Sequence, residues 1–365
     1  LFNSMLGYPL YSDIKNVIAY GTPTEHLAYR MQKFMDAYPD PFVIPNFVDN
    51  HDTPRFLSAG HGAALRQALA LLFTIPGIPT IYQGTEQGMT ETRKAMFAGG
   101  YQNESGSFNP ESEFYTYISQ LTELRRSHRV LSRGDLEVLA SDEYGPGLLA
   151  YRREYEGDVV VVLMNTADHD ILVHELDTGV EPNQRMEALL SEQFSGSPVT
   201  DDDGRLSVVL PGRSFLALTP AESVELSGKG QEQVLEIDID QLPGNEALDR
   251  DFIVSGTTSQ LNIPLKLILN GDYGGAVDFE SGNNGTWSIT VPVRDFGRSL
   301  NYLEVYSDEY KSLSARIPYT TWVTEPTLDR TVLDPANDAF GPTGSYVSPQ
   351  QPKSGLQREI ESVRL

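Results

Sequence analysis

FVIPNFVDNHDTPRF, running from Phe42 to Phe56, changes character halfway along. Phe42 to Val48 is apolar, rich in β-branched and aromatic residues and too short for a helix, which predicts a buried strand. The run then breaks into Asp49, Asn50, His51 and Asp52, so ionisable groups sit at the strand's carboxyl end. In a parallel α/β barrel the carboxyl ends of the strands are where chemistry is assembled. The same Asn-His-Asp triplet also suits a plain turn in which Asp52 caps the segment that follows.

Working outward, the block from Leu1 to about Arg133 alternates strands and helices. Leu1 to Tyr11 reads as the end of a strand and its loop. Pro23 to Tyr38 reads as a helix, because Leu27, Met31, Phe34 and Met35 recur at helical spacing and Pro23 and Thr24 suit an amino terminus. That apolar stripe is core rather than a site. Ala63 to Thr74 follows, with Leu65, Leu69, Leu72 and Phe73 on an inner face. Thr80 to Tyr82 fits a short strand, and Glu113 to Arg126 is a further helix carrying Phe114, Tyr117, Ile118, Leu121 and Leu124 on one face. These are three βα units, too few to close an eight-stranded barrel, whose strand number, tilt and shear must agree.

At about Gly134 the period changes from helical to alternating. Leu136–Leu139, Leu148–Arg152, Val159–Met164, Ile171–Leu176, Leu206–Leu210 and Phe215–Leu218 predict an antiparallel sandwich over 134–222. Asp201-Asp202-Asp203-Gly204 is read as a solvated hairpin turn rather than a calcium loop. Residues 223–232 are polar with two glycines and read as a linker. Over 233–325 clean alternation returns in Leu235-Ile237-Ile239, Leu265-Leu267-Leu269, Trp287-Ile289-Val291 and Leu303-Val305, which predicts an immunoglobulin-like sandwich without a cysteine pair. Trp287 is the candidate there for stacking on a sugar, although its place in an alternating strand also fits the core. Residues 326–365 change character again and read as a linker and the start of another module.

Composition narrows the function. The chain of 365 residues carries 27 basic and 51 acidic side chains, a formal charge of −24, which argues against a nucleic-acid partner or an anionic membrane surface. Cysteine is absent, which excludes disulfides and thiol chemistry without settling the compartment. The most apolar region, Ala63 to Tyr82, is interrupted by Pro76, Gly77 and Pro79 and contains Arg66 and Gln67, so no transmembrane segment is expected. The amino end shows neither an initiator methionine nor a signal-peptide pattern. No pair of histidines has metal-ligand spacing with a carboxylate partner, so no metal ligand is assigned.

FVDNHDTPRF resembles the motif at the seventh barrel strand of the α-amylase family of glycoside hydrolases. PGIPTIYQGTEQG, Pro76 to Gly88, resembles the family's eighth strand, and Gly7-Tyr8-Pro9-Leu10-Tyr11 resembles its segment after strand six. The resemblance implies the last three βα units of a (β/α)8 TIM barrel followed by the family's β domain. DPANDAFGPTGSYVSPQ, Asp334 to Gln350, resembles the opening of a carboxyl-terminal module of glucodextranase and some large amylases, so both ends are expected to be cuts through a longer protein. Family members are retaining glycosidases in which one carboxylate attacks the anomeric carbon and a second, about 5 Å away, protonates the leaving oxygen. Those residues follow strands four and five, and no GxRxD-type segment precedes Phe42. The missing amino-terminal half of the barrel is therefore an expected partner, and this chain alone is expected to be inactive.

Residue by residue, the resemblance implies that Asp52 is the catalytic carboxylate that bonds the hydroxyls of the sugar at the cleavage point and favours its oxocarbenium-like state. His51 would bind the same sugar, since imidazole donates a hydrogen bond without adding negative charge. Arg93 resembles the arginine that holds a carboxylate in the sugar pocket, as a forked, permanent cation can. The aspartate that usually precedes it is missing at the usual spacing, with Glu91 the one candidate substitute, and an exposed arginine without a role is the alternative. Asn50 is read as a scaffold for the turn, Glu86 as structural, and Asp49 is left out. The resemblance further implies an α-glucan substrate (starch or maltooligosaccharides), calcium bound by ligands outside this chain, and a secreted or cell-surface bacterial protein. A glucan transferase or isomerase on the same scaffold, or a non-catalytic glucan-binding relative, are the alternatives.

Overall fold

A computed structural model describes residues 4–223, 235–240, 242, 247–293 and 300–321. The expected module start over 326–365 and nearly all of the linker lie outside the described residues.

Helix α1 (Tyr8–Ile14) begins where a loop was expected and runs on through a wider turn at Lys15–Ala19. The signal was there: Pro9 suits a first helical turn, and Leu10, Ile14, Val17 and Ile18 recur at helical spacing and are all buried. Helix α2 (Thr24–Ala37) follows as expected. The predicted strand over 42–48 shrinks to β1 (Pro45–Asn46), preceded by a single tight turn at Pro41–Val43 in which the Asp40 side chain accepts from the Phe42 amide. Two prolines are the reason, since Pro41 and Pro45 have no N–H to give to a ladder.

Helix α3 (Gly62–Thr74) is apolar nearly all round and almost wholly buried. Strand β2 (Ile78–Pro79) lies two residues earlier than expected and pairs parallel with β1, Pro45 opposite Ile78. The Ile78 and Thr80 amides donate to the Ile44 and Asn46 carbonyls, each at 2.8 Å. Gly77 is required here: its φ is +105°, and a Cβ would meet the Asn46 amide and lie 2.7 Å from the Ile44 carbonyl oxygen. Helices α4 (Glu113–Ser127) and α5 (Arg129–Arg133) complete the block. No closed barrel is formed among the described residues.

The second part is antiparallel. Strands β3 (Asp135–Ser141), β4 (Leu148–Tyr155), β5 (Asp158–Asn165), β6 (Ile171–Asp177), β7 (Gln184–Glu192), β8 (Arg205–Leu210) and β9 (Phe215–Ser223) form a five-stranded sheet, β3-β4-β5-β9-β7, and a pair, β6-β8. Strand β7 was not legible because irregularities opposite β9 break its alternation. One face of the large sheet, with Leu149, Tyr151, Val162 and Phe215, shares a core with Leu65, Leu69 and Leu72 of α3. The other face, with Ala150, Val161, Leu163 and Leu216, packs on β6 and β8. Burial on both sides accounts for the unbroken apolar run in β5.

Buried polar groups seal the joint with the first block. Arg153 is fully buried and donates to the carbonyls of Thr74, Leu131 (3.0 Å), Gly134 (2.6 Å) and Asp135 (3.0 Å). Gln67 donates to the Asn165 and Ser214 carbonyls. Within the first block, half-buried Arg125 donates to those of Phe73, Ile75, Gly77 and Leu131.

The third part is a sandwich with its own core. Strands β10 (Ile237–Ile239), β11 (Phe252–Thr258) and β14 (Thr286–Val291) form one sheet. Strands β12 (Pro264–Leu269), β13 (Asp272–Glu280), β15 (Leu300–Ser307), β16 (Ser312–Leu313) and β17 (Ile317–Thr320) form the other. Trp287 is buried between them against Phe279 and beside Gly256, so it is core and not a sugar platform. This part meets the second through Tyr302, which donates to Asp142 at 3.1 Å, and through Arg316, paired with Glu304 at 3.1 Å and Asp142 at 3.5 Å. Asp201 closes a hairpin turn, accepting from the Asp203 and Arg205 amides. No described helix is long and apolar enough to cross a membrane.

Candidate functional site

The chain leaves β1 through buried Phe47 and Val48 and enters a turn held by its own side chains. The Asn50 side-chain oxygen accepts from the Asp52 amide at 2.9 Å, and Thr53 Oγ1 accepts from the Asn50 amide at 3.0 Å. Asn50 Nδ2 also donates to the Tyr8 hydroxyl at 3.1 Å, tying the turn to the start of α1. Asn50 is thus the scaffold expected of it.

Beneath the turn lies a brace that sequence reasoning missed. Asp49 is buried and accepts from Thr85 Oγ1 at 2.6 Å and from the Phe56 amide at 3.1 Å, with Arg55 3.8 Å away. Burial pushes its carboxyl above the ordinary aspartate range, while Thr85, Phe56 and Arg55 pull against that. Arg55 is fully buried and donates to the carbonyls of Gln83 (2.7 Å) and Glu91 (3.2 Å) and to Thr85 Oγ1 (3.2 Å). Its guanidinium also lies over the Tyr82 ring, 4.1 Å from the centroid. An arginine six residues beyond an acidic strand end was the available signal. Both would ordinarily be exposed, and the residues after β2 supply Thr85 to both of them and the Gln83 and Glu91 carbonyls to Arg55.

On this brace the turn presents His51 and Asp52 outward, their side chains 65% and 52% exposed. His51 Nε2 is 3.2 Å from Asp52 Oδ2. Arg93 arrives from the loop after β2, its Nε donating to the His51 carbonyl at 2.9 Å and its other nitrogen 3.5 Å from Asp52 Oδ1. The structure therefore brings together the three residues singled out in the sequence, drawn from two separate loops. The result is an open, hydrogen-bonding surface with one carboxylate flanked by an imidazole and a guanidinium, suited to polar, hydroxyl-rich ligands. Tyr82 borders it, its ring centroid 6.2 Å from that of His51.

Glu91 does not stand in for the missing partner of Arg93. It bonds Lys94 at 2.8 Å, which holds its carboxyl below the usual glutamate range. Glu86 has a structural place, accepting from the Gly84 amide at 2.8 Å. His61 caps α3 by accepting from the Ala64 amide. Among the described residues no group of three or more His, Asp or Glu side chains is placed to hold a metal ion, so no residue here is assigned to calcium.

With this geometry in view, residues 14–109 match the model of the α-amylase catalytic domain. A β/α-amylase of Paenibacillus polymyxa is 27% identical over 235 residues, covering 60% of this chain and 18% of that protein. A cyclomaltodextrin glucanotransferase of Geobacillus stearothermophilus is 36% identical over 143 residues, 37% of this chain and 18% of that protein. Among solved structures, an Anoxybacillus α-amylase superposes with a TM-score of 0.52 at 24% identity, over 62% of this chain and 48% of the other, a likeness of fold. The chain spans under half the length of each of these proteins, and the family match identifies its residues 14–109 as similar to part of an α-amylase catalytic domain.

Proposed function

We propose that the chain supplies one wall of the sugar pocket of an α-amylase-type retaining glycoside hydrolase acting on α-1,4-glucans such as starch and maltooligosaccharides. The observation that carries this is the placement of half-exposed Asp52, with His51 and Arg93 beside it, on a braced turn at the carboxyl end of a parallel strand. On this reading Asp52 accepts hydrogen bonds from the hydroxyls of the sugar at the cleavage point and strengthens them as positive charge develops on the ring. His51 donates to the same sugar, and Arg93 fixes the direction of the carboxylate. Attack and protonation fall to carboxyls after strands four and five, which this sequence does not contain.

The parallel β1–β2 pair, with a helix after each strand, supports reading the first block as strands six to eight of a (β/α)8 barrel. Residues 134–222 are then the β domain that packs on the barrel, and 233–325 an immunoglobulin-like module. Calcium would be held by the other half, and a secreted or cell-surface bacterial enzyme suits a polymeric substrate. A second reading, glucan transfer on the same scaffold, is favoured by the likeness to a cyclomaltodextrin glucanotransferase; product analysis separates linear sugars from cyclic ones.

The test is Asp52→Asn in the polypeptide that also carries the strand-four and strand-five carboxyls. Turnover on soluble starch should fall by well over 10²-fold, the order contributed by one pre-organised stabiliser, with the melting temperature unchanged. A near-normal rate would overturn the assignment. The 365-residue chain alone should release no reducing sugar, and release that Asp52→Asn abolishes would show the two missing carboxyls to be within it.

A further inference from the structure

The loop between β2 and α4 carries a feature that the site does not use. Phe97, Phe108 and Tyr115 are large and exposed, yet they form a line: Phe97 and Phe108 have ring centroids 5.5 Å apart at 40°, and Phe108 meets Tyr115 at 6.0 Å and 85°. Exposed aromatic groups on a floppy loop would collapse onto the nearest apolar surface. This loop is braced instead. Asn103 is buried and donates to the Ala95 carbonyl (2.7 Å), the Met96 carbonyl (3.3 Å) and Ser107 Oγ (2.9 Å), while its oxygen accepts from the Gly106 amide (2.9 Å). Gln83 pins one end by donating to the Lys94 carbonyl, and Gln87 pins the other by accepting from the Asn109 amide. Ser112 fixes the start of α4, where Tyr115 sits, by donating to the Glu86 carbonyl at 2.5 Å.

We propose that Phe97, Phe108 and Tyr115 form a stacking ledge for an α-glucan chain, extending the Asp52 site along the loop that also carries Arg93; the inference rests on the α-glucan reading above. Three observations select this occupant. The ledge is carried by the same loop as the site, since Arg93 bonds both His51 and Asp52 and Phe97 follows it by four residues. The rings together offer only roughly 300 Å² of aromatic surface, well under the ~800 Å² per partner that a stable protein interface needs. A neutral sugar presents apolar C–H faces to an aromatic ring and carries no charge to be repelled by a protein of formal charge −24.

The test is native electrophoresis of the 365-residue chain in gels with soluble starch, and with dextran as the control glucan. The wild type should be retarded by starch and not by dextran. The double variant Phe97→Ala/Phe108→Ala should bind about tenfold more weakly, roughly 1.4 kcal/mol. Phe97→Tyr/Phe108→Tyr should restore retardation, and all variants should melt with the wild type because the rings are exposed. Retardation unchanged in the alanine variant would overturn the ledge while leaving the glucan reading standing. No retardation of the wild type would also overturn the ledge, and Asp52 would still be judged separately by its kinetics. A shift of the alanine variant from dimer to monomer in sedimentation would overturn it in favour of self-association.

Discussion

The block that carries Asp52 and the carboxyl-terminal sandwich solve the same problem in opposite ways. The sandwich builds its core from its own alternating strands, with Leu265, Leu267, Val291, Leu303 and Val305 meeting Trp287 in a cluster that, among the described residues, draws only on the sandwich itself. The first block has two strands of two residues each, and its helices bury their apolar faces against β4, β5 and β9. Its Gln67 is buried too and depends on carbonyls far along the chain, those of Asn165 and Ser214. The contrast teaches that local pattern is sufficient where a segment supplies its own partners, and insufficient where the partners come from elsewhere.

The largest effect should come from separating the two. Residues 233–325 expressed alone should melt in one cooperative transition, whereas residues 4–133 alone should show none, because their core would lose the sheet it rests on. Calorimetry of both pieces decides this, and a cooperative transition in 4–133 would break the comparison. Next, Arg153→Met should destabilise the unit formed by the first block and the β3–β9 strands by on the order of 3–5 kcal/mol, since the buried Thr74 and Gly134 carbonyls lose this donor and those of Leu131 and Asp135 lose one of their bonds. Denaturant unfolding followed by two probes should find the sandwich transition unmoved. Smaller still, Gly77→Ala should cost roughly 1–3 kcal/mol through strain at positive φ and should disturb the β1–β2 pairing that sets the Asp52 turn. Its expected signature in the complete enzyme is a loss of turnover larger than the loss of stability would explain, measured below the melting range. The smallest effect belongs to Ile253→Thr, on an exposed position of the sandwich, which should stay within about 0.5 kcal/mol of the wild type by thermal melting.

Much of the fold was legible. Helices α2, α3 and α4 lie within a residue or so of their expected spans, and the alternating strands from β3 to β6 and at β12 and β14 were found. The misses have causes. Strand β13 reads Asp-Tyr-Gly-Gly-Ala-Val-Asp-Phe-Glu, mostly exposed and with two glycines, so no apolar period marks it. Strand β11 alternates through Phe252, Val254 and Gly256, and the glycine hides the third inward position, which the indole of Trp287 fills instead.

For the site, sequence alone determined that His51 and Asp52 stand at the exit of an apolar strand and that Arg93 lies beyond the next one. It also determined which helix faces are buried, because periodicity records burial along a single element. Tertiary structure decided the rest. It cut the strand before Asp52 to two residues, placed Asp49 and Arg55 in a buried brace, turned Glu91 to Lys94 rather than Arg93, and put Trp287 in a core instead of on a surface. Each of these outcomes depends on which distant backbone or side-chain group supplies the partner for a charge, an amide or a ring, and no local pattern encodes that choice.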